Sequence, residues 1–90
     1  MKNRDKFTAY SITEYLRRRE VKLYRDFEDA YNYAYLNECY LFIRSEHITV
    51  RCDRENTFYE GRTFEYSVHS TRDIDQALTM FHSLAMADVE

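Results

Sequence analysis

The chain has 90 residues with a formal net charge of −3; 44% of them are apolar and 17% aromatic, with one glycine and no proline. That length supports one domain with a modest core, and the apolar content argues against a disordered chain. The acidic balance speaks against a general nucleic-acid binder, no apolar run reaches the length of a membrane span, and MKNRDKFTAYS lacks the apolar stretch of a secretory signal, so a cytoplasmic protein is expected.

Residues 1–10 are polar apart from Phe7 and Tyr10, and loose order is expected there. Ser11 and Glu14 form a capping box, and Ile12, Tyr15, Leu16 and Arg19 follow at helical spacing, which predicts a helix to about Glu20. Residues 21–25 fit two patterns. Val21, Leu23 and Arg25 alternate as in a strand, while Leu16, Leu23 and Ala30 recur every seven residues as in a helix. The favoured reading is a helix, a break near Arg25–Asp26 and a second helix to about Asn37. Asp26 caps that helix, Glu28 and Asp29 complement its dipole, and Phe27, Ala30, Tyr31 and Ala34 form its stripe.

The stretch Cys39–His69 alternates with period two, the mark of half-buried strands. A turn at Ser45–Glu46 sets Ile43 against Ile48, Leu41 against Val50 and Cys39 against Cys52. A one-residue slip turns an apolar set outward, so burial holds this register. The same logic sets Cys52 against Phe64, Val50 against Tyr66 and Ile48 against Val68. The opposite face then shows Tyr40, Arg51 and Glu65 in one row, with Arg51 and Glu65 as an ion pair. Phe42, Thr49 and Ser67 form the next row, and Arg44, His47 and His69 the last. The loop Glu55–Gly61 projects, with Phe58 and Tyr59 near its tip, and Gly61 suits a positive φ or a bulge at its base.

Ser70 and Thr71 offer caps for a last helix, with Asp73 and Asp75 in its first turn. Ile74, Ala77, Leu78, Phe81, Leu84 and Ala85 make its stripe, and residues 87–90 are expected to fray. The chain as a whole, residues 1–90, reads as a single α+β domain of order ααβββα, a three-stranded antiparallel meander packed with helices.

The chemistry-bearing residues point to binding rather than catalysis. Cys39 and Cys52 face the core as reduced thiols, away from the exposure a nucleophile needs. With His47, His69 and His82 they match no zinc spacing, so neither metal nor cofactor is expected. No phosphate-cradling glycine loop is present. Aromatic residues on fixed surfaces are typical anchors, which makes Phe58, Tyr59, Tyr40 and Phe42, with Arg51 and Glu65, the expected partner site. Acidic residues at Asp26, Glu28, Asp29, Glu38, Asp73 and Asp75 would form its rim. A second candidate is the basic run Arg17, Arg18, Arg19, Lys22 and Arg25. On a helix, Arg18, Lys22 and Arg25 share a face suited to phosphates.

In length, acidity and tyrosine content the chain resembles accessory proteins of phages and mobile elements, among them anti-CRISPR inhibitors. The expected function is therefore a non-catalytic protein that docks on another protein as an inhibitor or adaptor of a nucleic-acid-handling complex. Nucleic-acid binding through Arg17–Arg25 is the alternative, and a homodimer through the outer sheet face is open.

Overall fold

In a computed structural model of the chain, residues 7–28 and 31–87 are described. They form helix α1 (Ala9–Arg18), strands β1 (Tyr24–Asp26), β2 (Tyr31–Leu36), β3 (Cys39–Arg44), β4 (His47–Cys52) and β5 (Thr63–Ser67), and helix α2 (Thr71–Met86). The strands make one antiparallel sheet in the order β1-β2-β3-β4-β5. The α+β class holds, with two corrections: the sheet has five strands rather than three, and the expected second helix is a hairpin.

That hairpin answers to a pattern inside the supposed helix. Tyr31, Tyr33 and Tyr35 alternate with Asn32, Ala34 and Leu36, and only Ala34 is fully buried. The stripe positions split between the two faces of a strand, whereas the tyrosines alone follow period two. Tyrosine favours strands, and β3 offered a free edge, so pairing of Tyr33 with Phe42 and of Tyr35 with Tyr40 won. Residues 21–23 are neither helix nor strand and lead into β1 instead of continuing a helix. The two-residue connection Asn37–Glu38 has φ of 49° and 65°, as a tight hairpin turn requires. Phe27, expected inside, stands outside at 89% exposure. Asp29 and Ala30, and the ends at 1–6 and 88–90, lie outside the described residues.

The β3–β4 register is the expected one, from Cys39 opposite Cys52 to Arg44 opposite His47. The β4–β5 register is displaced by two residues, with Val50 opposite Phe64 and Ile48 opposite Tyr66. A two-residue slip keeps each side chain on its face, so burial cannot choose between these alignments. Gly61 chooses. Its N–H donates to the Cys52 carbonyl at 2.8 Å, while the Cys52 N–H donates to the Arg62 carbonyl at 3.0 Å. Two residues thus oppose one, a bulge with Gly61 at φ 76°. As a result Arg51 faces Thr63, not Glu65, and His47 faces Ser67, not His69.

Helix α1 starts two residues before Ser11, with Thr8 as its cap, accepting the Ser11 N–H at 3.3 Å. Its end is a Schellman motif. Glu20 N–H donates to the Arg17 carbonyl at 2.9 Å and Val21 N–H to the Leu16 carbonyl at 3.1 Å. This places Glu20 at φ 61°, a conformation that disfavours any residue with a Cβ.

Both helices pack on one face of the sheet. Ile12 and Leu16 from α1 and Ile74, Ala77, Phe81, Leu84 and Ala85 from α2 join Leu41, Ile43, Ile48 and Val50 in a single core. Thr13 is the one buried polar residue among those described. Its hydroxyl donates to the Ala9 carbonyl at 2.8 Å and accepts from Asn32 at 3.2 Å. The α2 C-terminus has no basic residue of its own in the last turn. Arg54 supplies the charge, donating to the carbonyls of Leu84 (3.0 Å), Ala85 (3.0 Å) and Ala87 (2.6 Å), and Asn37 adds a bond to Ala85 at 2.8 Å. Cys39 and Cys52 face each other in the core as free thiols, and burial, then the hydrogen bond to Cys52, push the Cys39 thiol up to about 12.

Three outcomes are expected. Glu20→Gly raises unfolding stability by about 0.5–1 kcal/mol in urea titration, because glycine adopts the left-handed conformation without penalty. Arg54→Met keeps the stem and loses the charged donors, and costs about 1.5–3 kcal/mol in the same titration. At pH 8 a thiol reagent leaves native Cys39 and Cys52 unmodified and labels both in denaturant. The unfolded Cys39 ionises near 9.0 and the folded one near 12, so its stabilising contribution is full below pH 9 and fades between those values.

Candidate interaction surface

With both helices on the inner face, no described helix or strand covers the outer one. Strand alternation puts Tyr24 of β1, Tyr31, Tyr33 and Tyr35 of β2, and Tyr40 and Phe42 of β3 there together. The rings form a continuous field. Tyr40 and Phe42 stack at 5.4 Å between centroids with planes 4° apart, Tyr31 meets Phe42 edge-on at 5.5 Å, and Tyr24 lies 5.5 Å from Tyr33. Cations of the chain lie across the field. The Arg51 guanidinium sits 4.9 Å from the Tyr40 centroid and Arg44 sits 4.7 Å from that of Tyr31, while Lys22 Nζ lies 5.5 Å from Tyr24. Such contacts fix long side chains over flat rings and keep much of the ring surface covered.

The expected partner residues are partly brought together. Tyr40, Phe42 and Arg51 are contiguous on this face. Glu65 shares the face but not the pairing. Its carboxylate lies 3.6 Å from His47 Nε2, while Arg51 Nη2 bonds Asp53 at 3.0 Å. The loop tip divides. Tyr59 turns in against Phe64, at 6.4 Å, and the core, whereas Phe58 is 72% exposed with the Arg62 guanidinium 4.6 Å above its ring. Tyr24, Tyr31, Tyr33 and Tyr35 were not among the expected partner residues, because the chain there reads as helix in the favoured pattern. The signal for Tyr31, Tyr33 and Tyr35 was the period-two run YNYAYL.

The basic run does not form one face. Helix α1 ends at Arg18, Arg17 pairs with Glu14 at 2.9 Å, and the Arg19 guanidinium lies 3.6 Å over the Tyr15 ring. Lys22 turns to the outer face, while Arg25 pairs with Asn32 in register and lines the inner side beside Ala9. The acidic rim is dispersed as well. Asp73 accepts the His69 N–H at 2.9 Å, and Asp75 accepts the Tyr15 hydroxyl at 2.6 Å. Burial and then that bond hold the Tyr15 phenol above its ordinary value. Asp29 lies outside the described residues.

A hollow of about 810 Å³ runs between α2 and β5 and is lined by Tyr59, Tyr66, Arg72, Asp75 and Met80 among others, with no histidine or cysteine. Among the described residues no cluster of three or more His, Cys, Asp or Glu is placed to hold a metal ion. No described helix is long and apolar enough to cross a membrane. No family model matches this sequence, and neither curated proteins nor solved structures show a significant similarity to it.

Proposed function

We propose that this protein is a non-catalytic binding module that docks on another protein through the outer face of its sheet. The observation that carries this reading is the aromatic field from Tyr24 to Phe42, which both helices leave uncovered. Tyr, Phe and Arg are the side chains most enriched in the cores of protein interfaces. Tyrosine brings a large contact area at little cost in side-chain entropy, and ring–ring and cation–π contacts already hold these rings in place.

An aromatic–arginine sheet face also suits single-stranded nucleic acid. The electrostatics favour a protein. Asp26, Asp53 and Glu65 share the face with Lys22, Arg44 and Arg51, and Arg51 is already engaged by Asp53. A chain of net charge −3 with such a balanced face offers little to a phosphate backbone. It offers more to a protein with basic surfaces, which is what an inhibitor or adaptor of a nucleic-acid-handling complex would meet.

The test is affinity capture from a cell lysate with and without nuclease, using the wild type, Tyr40→Ser/Phe42→Ser and Phe58→Ala. Circular dichroism checks that each variant is folded. The expected result is a stoichiometric protein partner that survives nuclease, is lost with the double variant and is retained by Phe58→Ala. Recovery that collapses with nuclease, or that ignores the double variant, overturns the reading. So does a stable homodimer in solution that buries the same face.

A further inference from the structure

Resting on the docking reading above, we propose that one part of the outer face is a cation-accepting cage. It takes the guanidinium or ammonium group of a Lys- or Arg-bearing segment of the partner protein. Tyr24, Tyr33, Tyr35 and Tyr40 alone line a concavity of about 310 Å³. Their centroids are 5.5 Å apart for Tyr24 and Tyr33, 6.3 Å for Tyr33 and Tyr40, and 4.8 Å for Tyr35 and Tyr40, with planes inclined by 30°, 45° and 57°. Rings inclined in this way border a shared space with more than one π face, and a π face attracts a cation.

The chain shows the preference on itself. Lys22, Arg44 and Arg51 each lie over a ring of this face, yet none lines the four-tyrosine hollow. The space between them is left for a cation from outside. The neighbouring hollow shares Tyr35 and includes Glu38 and Glu55. Arg54 lines that hollow too, but its guanidinium is committed to the α2 carbonyls of Leu84, Ala85 and Ala87. Two carboxylates against one guanidinium leave the side beside Tyr35 net acidic toward an incoming ligand. A phosphate would meet these same carboxylates, and a neutral side chain would gain nothing from them. Lys22, at the Tyr24 edge, competes with the incoming cation, and its removal gives the proposal a sign that a nucleic-acid ligand would reverse.

The experiment follows the tyrosine ring resonances of the intact protein by NMR. The probes are acetyl-Ser-Arg-Ser-Arg-Ser-amide, its citrulline counterpart and a short oligodeoxythymidylate. The expected result is saturable shifts at Tyr24, Tyr33, Tyr35 and Tyr40 with the arginine peptide, and far weaker ones with citrulline. Tyr35→Leu keeps apolar bulk, removes the π face and weakens binding about two- to fivefold. Glu38→Gln weakens it, and Lys22→Ala strengthens it. Equal response to arginine and citrulline, weaker peptide binding in Lys22→Ala, or shifts with the oligonucleotide alone overturn the cage. The two readings fail separately. If the captured partner is lost with Tyr40→Ser/Phe42→Ser but ignores Tyr35→Leu and Lys22→Ala, docking stands and the cage falls. If the partner ignores all of these changes, the docking reading falls as well.

Discussion

One-sided burial of the sheet is the constraint on which the rest of this structure depends. The described residues form two amphipathic helices, and both lay their stripes on the same face, over Leu41, Ile43, Ile48 and Val50. Strand side chains alternate between faces. Once one face is committed to the core, the partners of those residues have nowhere to go but outward. Tyr33, Tyr35, Tyr40 and Phe42 are outside for that reason, and not because any local rule exposes an aromatic side chain.

The connections make that arrangement rigid without proline and with one glycine. Positive φ is carried by Glu20, Asn37, Glu38, Glu46 and Asn56 as well as by Gly61. The non-glycines among them, the glutamates above all, hold a conformation that a Cβ disfavours, and tertiary contacts help to keep them there. Some of these contacts are visible. Asn37 bonds the Ala85 carbonyl, and Val21, next to Glu20, packs against the core. Arg54 crosses from the loop after β4 to close the carbonyl end of α2. The sheet and α2 are thereby tied at the end of the molecule where the α2 dipole is negative, and a cation there is favourable.

An outer face of six aromatic rings would be an aggregation hazard if it were bare. Here the rings cover one another, and Arg44, Arg51 and Lys22 lie over them. The result is a surface at once apolar, flat and charged, with its side chains already positioned. Ordering costs paid within the free protein need not be paid again on association. Phe27, Tyr10 and Phe58 stand apart as the more exposed aromatic groups, Tyr10 on α1 and the two phenylalanines on loops.

Much of this was legible from the residues alone. Strict alternation identified β3 and β4 and their register, the i, i+3, i+4 stripe identified α2, and Gly61 announced the bulge. Local periodicity suffices where only one period fits and one face must be buried. It failed at 26–37, where Phe27, Ala30, Tyr31 and Ala34 matched a helix while Tyr31, Tyr33 and Tyr35 matched a strand. The vacant edge of β3 decided between them, and an edge is a property of the assembled sheet. It failed also at β5, where two registers bury the same face and the Gly61 hydrogen bonds select one. The pairing of Arg51 with Asp53 rather than Glu65 follows from that selection. In β3, β4 and β5 the sequence by itself determined which side chains share a face, because alternation is local. Only the tertiary structure decided which face the helices cover, and so that the tyrosines form a single open surface, because that choice depends on how separate elements divide the available apolar area.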